Sequence, residues 1–417
     1  MRTEERNAEW RGWLVLALLF VVAILNYLDR TMIATMRESI MFSITMTEAQ
    51  FGLLTTVFSW VYGGFCPIAG FIADRVNKKY LIIGSLFVWS SVNLMTGYVS
   101  TYNELLATRA LIGISKAFFY PSVLSLIMDN YRKPSLAIGI LFCGDTVGQS
   151  LGFLGGDIAE NHSWNAAFHI FGWVGVVYAV FLIFILKTRL TSSMIFVGEK
   201  KEKQQTSKNR FGTTLGALFG NRSFFYLLLL YPLASIVSWM VMTWLPTYYQ
   251  EMFQITQSEA GKYGTVFFYP ASILGLLLGG YLTDKWQKTY PYARMLMPVI
   301  GFGVAAPCVF MIGYTHILWQ AVTLFLIFGF ARMFIDNTLM PILCMVIDKR
   351  YRATAYGIIN MASVFIGGMS SYIAGVFRDA DVSLSTVFQY ASIGLALCMV
   401  ILLLIKHEVK KNNALPS

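Results

Sequence analysis

Two stretches decide how this chain folds: YPSVLSLIMDNYRKPSLAIGI (120–140) and LMPILCMVIDKRYRATAYGI (339–358). Each starts in an apolar run, carries a proline and then an aspartate, and passes through a basic turn into another apolar run. Pro121 and Pro341 are 220 residues apart, Asp129 and Asp348 219, and Tyr131 and Tyr351 220. A second pair, GFIADRVNKK (70–79) and GGYLTDKWQK (279–288), sets Asp74 and Asp284 210 apart. Patterns recurring at a near-constant offset mark an internal duplication, so the chain reads as two similar halves.

Outward from these stretches the sequence divides into long apolar runs. A bilayer core takes about 20 apolar residues per helix. Twelve runs meet that length, near 12–34, 49–73, 79–99, 104–130, 135–157, 165–187, 223–249, 260–283, 292–314, 316–347, 353–377 and 385–406. The chain is 56% hydrophobic and 13% charged. Soluble domains carry about 25% charged residues, so a soluble fold, a disordered chain, a coiled coil and collagen are all excluded. The first run lacks a cleavage signature and reads as a retained helix, not a signal peptide. The expected fold is an all-α membrane protein of twelve transmembrane helices: a six-helix bundle over 1–187, a polar cytoplasmic linker over 188–222 containing GEKKEKQQTSKNR, a second bundle over 223–406 and a cytoplasmic tail over 407–417. Two parallel repeats around a central site form a transporter architecture.

The net charge is +10. Of 32 lysines and arginines, 25 fall in segments on the side of the N-terminus and three (Arg37, Lys262, Arg378) on the other. That bias predicts two cytoplasmic termini, in the cytoplasmic (inner) membrane, and explains the net charge without nucleic acid. The five cysteines all lie in apolar runs with no paired or CxxC spacing. Neither a Walker loop nor metal-ligand spacing is present, so no cofactor, no metal and no enzyme activity is expected, and ATP is not the energy source.

Ionisable groups at membrane depth are costly and mark substrate or ion pathways, or else neutralised pairs that lock helices together. Seven stand out: Asp29, Arg30, Arg109, Lys116, Asp145, Arg332 and Asp336. At ~1.5 Å per residue, Lys116 and Asp145 come out ~18 and ~15 Å deep, near the midplane, while Asp29 and Arg30 come out level with Arg109 further out. The expected clusters are therefore an outer one (Asp29, Arg30, Arg109) and a central Lys116–Asp145 pair. Arg332 and Asp336 sit i, i+4 on one helix face, and Asp336 is the repeat counterpart of Lys116. An arginine fork matches a carboxylate or phosphate bidentately, which makes Arg30, with Lys116, the candidate anion binder. Tyr27 and Trp239 are the aromatic candidates for a solute cavity. Small residues every four positions, Gly144, Gly148, Gly152 and Gly156 and again Gly367, Ser371 and Gly375, predict close helix contacts.

Twelve spans, a 6+6 repeat and GFIADRVNKK resemble the major facilitator superfamily. Its loop motif Gly-x-x-x-Asp-Arg-x-Gly-Arg-Arg/Lys is matched at Gly70, Asp74, Arg75, Lys78 and Lys79 and departs at Asn77. NYLDR (26–30), TRALIGISKAFFYP (108–121) and TWLPTYYQE (243–251) are similar to the anion:cation symporter branch, whose members carry sugar acids and related organic anions, often with protons. NYLDR and DRVNKKYL (74–81) also resemble the Spinster branch, which handles lysolipids. The resemblance implies that Asp74 and Arg75 gate, that Asp29, Arg30 and Arg109 match the branch's helix-1 and helix-4 charges, and that a proton-carrying glutamate belongs where this chain has Lys116. Asp145 would then supply the missing carboxylate, or the extra cation would serve a more highly charged anion.

The function expected from all of this is secondary transport of a small organic anion such as a sugar acid, by alternating access. A coupling ion, proton or sodium, would drive it. Arg30, Tyr27, Lys116, Trp239 and Asp336 would bind the solute; Asp29, Arg109, Asp145, Arg332, Asp74 and Arg75 would couple or gate. Membrane lipids are the surrounding partner and the chain is expected to act as a monomer. The alternatives are organophosphate exchange, lysolipid export, or a non-transporting membrane sensor.

Overall fold

A computed structural model of the chain describes residues 2–73, 76–131, 134–187, 216, 218–336, 338–347 and 352–414. Most of the expected 188–222 linker lies outside the described residues, as do Asp74, Arg75, Asp348 and Tyr351.

Among the described residues the regular structure is helical, with no strand. The helices are α1 (Arg2–Thr35), α2 (Arg37–Ser43), α3 (Glu48–Ala73), α4 (Lys78–Thr96), α5 (Tyr102–Ala117), α6 (Phe119–Asn130), α7 (Pro134–Ser150), α8 (Phe153–Asn161) and α9 (Trp164–Lys187), then α10 (Arg222–Phe253), α11 (Gln257–Lys262), α12 (Phe268–Gln287), α13 (Ala293–Met311), α14 (Leu318–Asp336), α15 (Leu339–Val346), α16 (Arg352–Asp379) and α17 (Leu384–Ala414). Among the described residues, eleven helical stretches are long and apolar enough to cross a membrane. The expected third span is present as α4 but falls short of that apolarity. Its polar residues explain why: Ser85, Ser90, Asn93 and Thr96 are all buried against other helices, so the outward face of α4 stays apolar.

Two helix breaks, at matching places in the two halves, are set by a proline just beyond them. Pro121 has no N–H for the carbonyl of Ala117, where α5 ends. Pro341 stands at the corresponding place in the second half, the third residue of α15 as Pro121 is of α6, with α14 ending at Asp336. The starts are capped. Thr101 and Glu104 form a reciprocal capping box on α5, the helix that carries Arg109 and Lys116. Asn77 accepts from the Lys79 N–H at 3.1 Å and caps α4, so the departure from the loop motif supplies a helix cap.

The chain divides into two compact units, one of Met1–Met46, Val57–Thr206 and Thr256–Thr265, the other of Thr47–Thr56, Ser207–Ile255 and Val266–Ser417. In the first, α7 packs on α1 and α4 on α9. A Cβ at Gly148 would come within 2.2 Å of the Ile24 carbonyl, so only glycine permits this approach of α7 to α1. Glu160 accepts from the Ser258 N–H at 2.6 Å at the start of α11, and Lys262 at its end pairs with Asp157 at 3.2 Å. In the second unit, α10 packs on α16, with the Trp244 indole donating to the Ser371 carbonyl at 3.1 Å, while α13 packs on α17 and α12 on α14. The Asp379 carboxylate accepts from the N–H groups of Glu48 (2.8 Å) and Ala49 (3.0 Å), and Arg378 pairs with Glu251 (2.6 Å) and Glu48 (3.4 Å).

Candidate functional site

Among the described residues, the first unit gathers five charges around α1, α5 and α7, four of them buried and Arg30 half-buried. The Lys116 ammonium donates to the Asp29 carboxylate and to the Asn26 carbonyl, with only 1% of the lysine exposed. The Asn93 amide donates to the other Asp29 oxygen at 2.7 Å. Lys116 therefore pairs with Asp29, not with Asp145 as the depth estimate predicts. The physical reason is side-chain direction. Helical side chains lean toward their helix's N-terminus. Successive crossings make α1 and α5 antiparallel, so Asp29 and Lys116 lean toward each other, and the long lysine stem spans the difference in level.

Arg30 lies one residue on, half-buried, its guanidinium carbon 5.4 Å from the ring centres of both Tyr27 and Phe58. The two rings hold a planar cation in place by cation–π attraction. Lys116 lies over the same Phe58 ring (5.8 Å) and over Trp89 (5.5 Å). Arg109 is buried over the Phe168 ring at 5.0 Å, and its Nε and Nη2 have no hydrogen-bond partner. Tyr27 meets Tyr120 edge-on at 6.5 Å. Asp145 is buried beside this pair, one carboxylate oxygen without a hydrogen-bond partner, and Tyr120, Arg30 and Lys116 are its electrostatic neighbours.

Sequence reasoning missed Asn93 and the rings of Phe58, Trp89 and Phe168. Asn93 carried a signal, an amide within an apolar run. The phenylalanines carried none among the 32 of the chain.

In the second unit Arg332 pairs with Asp336 at 3.2 Å across one helical turn, as their spacing predicts, and Tyr231 and Tyr356 lie within electrostatic reach of Asp336. Trp239 is half-buried against Gly367, where a Cβ would meet its ring at 2.6 Å. Trp244 and Tyr248 are fully buried core residues. The loop residues Asp74 and Arg75 lie outside the described residues.

Comparison with known proteins bears on what such a site does. The Major Facilitator Superfamily profile matches residues 19–372. Protein spinster homolog 1 of Xenopus laevis is 24% identical over 88% of this chain and 73% of its own length. The sphingosine-1-phosphate transporter SPNS2 of Danio rerio is 23% identical over 90% and 78%, and the D-galactonate transporter of Escherichia coli O6:H1 25% over 73% and 75%. Among solved structures, a bacterial homologue of the human lysosomal transporter Spinster, inward-facing and occupied, superposes with a TM-score of 0.79 at 20% identity over 97% of this chain and 99% of that one.

Proposed function

The chain belongs to the Major Facilitator Superfamily and is a multi-pass membrane transporter, not an enzyme; on that premise we propose that it moves a small organic anion, coupled to an ion gradient. One observation carries this reading. Among the described residues, the first unit sets three cations (buried Arg109 and Lys116, half-buried Arg30) against two buried carboxylates (Asp29, Asp145). Lys116 is neutralised by Asp29, and Arg30 lies half-buried over its two rings, its guanidinium shaped as a fork for a carboxylate or phosphate. Arg30 is the anion anchor in this reading, with Tyr27 walling it and Lys116 setting the field. In the other unit Trp239 and Asp336 contact the solute, and Arg332 responds to it through Asp336. Arg109, Asp29 and Asp145 couple or gate, as do Asp74 and Arg75.

The chain works by alternating access as two six-helix halves, 1–187 and 223–406, joined by a cytoplasmic linker. It sits in the cytoplasmic (inner) membrane as a monomer with both termini cytoplasmic, and the coupling ion is a proton or sodium. The solute is a sugar acid in the first reading, which the resemblance of the D-galactonate transporter supports. A phosphorylated lipid is the second, supported by the Spinster relatives and by the surplus positive charge. A thermal-stabilisation screen of the purified protein with D-galactonate, hexose phosphates and sphingosine 1-phosphate separates them. Selective stabilisation by D-galactonate supports the first and by sphingosine 1-phosphate the second. Binding without accumulation of the same compound in proteoliposomes would make the protein a sensor and sink the transport reading.

A further inference from the structure

We propose that Asp145 carries the coupling proton, and that the substrate anion loads it by taking Arg30 away from it. This rests on the anion-transporter reading above and deepens the same site.

The two buried carboxylates are differently committed. Asp29 receives the Lys116 ammonium on one oxygen and the Asn93 amide on the other. Protonating it would strand a buried lysine, so that pair is a neutral strut that gates by parting and does not carry the proton. Asp145 is as deeply buried, yet one of its oxygens has no partner. The groups facing it are Tyr27 and Arg30 from α1, Lys116 from α5 and Tyr120 from α6, with Tyr62 of α3 beside the two tyrosines. Gly144 and Gly148 press α7 onto α1, so Asp145 rides on backbone held at a fixed distance from Tyr27 and Arg30.

An ionised carboxylate with an unmet oxygen is tolerated in such a place only while a cation compensates it. Lys116 is already spent on Asp29. Arg30 does the work in the empty site. When a substrate carboxylate or phosphate occupies the Arg30 fork, Asp145 loses that compensation. It then takes a proton from water on the side to which the site is open, forming the carboxylic acid. Release of the anion returns Arg30 to Asp145, and the proton leaves to water on the other side. Charge balances: the empty site, with three cations and two carboxylates, carries one net positive charge. A monoanion arriving with one proton leaves that charge unchanged, so loading adds no charge to a low-dielectric site. The carboxylate that α5 lacks at Lys116 is thus supplied by α7.

Two measurements test this. The first needs no ligand: infrared difference spectra of the purified protein on acidification, reading the stretch of a protonated carboxyl in apolar surroundings. The band should be present in the wild type, lost in Asp145→Asn, shifted in Asp145→Glu, and retained in the double variant Asp29→Asn with Lys116→Met, which removes the strut as a neutral pair. A band that survives in Asp145→Asn, or vanishes in the double variant, overturns the assignment. The second adds D-galactonate, and separately sphingosine 1-phosphate, to weakly buffered protein and follows proton uptake. The wild type should take up one proton per D-galactonate bound, and Asp145→Asn none while still binding. Unchanged uptake by Asp145→Asn overturns the proposal. If neither compound binds the wild type, the substrate reading fails, while the infrared result still decides Asp145.

Discussion

A lysine ammonium sealed from water must find its counter-charge within reach, and Lys116 finds both of its acceptors on α1. Removing one partner of such a pair leaves the other buried and unpaired, at a cost of about 3–5 kcal/mol. Lys116→Ala should therefore lower the thermal stability sharply. Lys116→Met with Asp29→Asn should recover much of the loss, whereas Lys116→Met with Asp145→Asn should not; equal recovery by both doubles would dissolve the assigned pair. Arg30 is a different case, because its guanidinium lies over the Tyr27 and Phe58 rings and faces Asp145. Arg30→Lys keeps the charge and loses the bidentate geometry, so affinity for the transported anion should fall by ~1.5–3 kcal/mol in a binding titration. Unaltered affinity would remove Arg30 from the site. The charges themselves were legible in the sequence, since each interrupts an apolar run. Their partners were not. Counting residues from a helix end ignores the lean of side chains, and that lean joined Lys116 to Asp29 across two estimated levels.

At the scale of elements, sequence and structure agree where a local rule acts alone. The glycines of α7 sit where α1 crosses, whereas Pro121 and Pro341 break, at matching points, the runs 104–130 and 316–347 that read as single spans. The caps of α3 and α11 were not foreseen, because the carboxylates that make them come from residues distant in sequence. Asp379 is 331 residues from Glu48, and Glu160 is 98 from Ser258. The repeat nonetheless shows in them: Glu48 and Ser258 are 210 apart, the offset of the loop motif, and each helix start is held by a carboxylate from the end of a glycine-lined helix. Asp379→Ala would strand the N–H groups of Glu48 and Ala49 and should cost about 1–2 kcal/mol, the worth of a lost cap. Asp379→Asn, which still accepts, should cost less. A melting series in which the two variants are equally destabilised would place the effect in charge and not in capping.

At the scale of the whole molecule, the number of crossings decides which side each terminus occupies. Eleven stretches pass as spans on length and apolarity, and an odd count would put the termini on opposite sides of the membrane. The nineteen residues of α4 are the difference. At ~1.5 Å per residue they make a helix of about 28 Å, enough for a hydrocarbon core of ~30 Å with a small adjustment. The polar side chains that lower its apolarity are turned inward: Ser85 donates to the Ser115 carbonyl at 2.7 Å, Asn93 to Asp29, and Thr96 to its own helix at the Val92 carbonyl. Lipid therefore meets the apolar side, including Phe87 and Val88, which are exposed. A helix that looks too polar by composition is able to span because its polar groups are spent inside the bundle. The lysine and arginine bias agrees, since it holds on the N-terminal side of every crossing only if α4 is counted. Reporters fused in turn to the N- and C-terminus should both give the cytoplasmic signal, the one active only inside the cell and the one active only outside scoring in agreement. Opposite signals at the two ends would mean that α4 does not cross, and Asn93 could not then reach Asp29 from within the membrane.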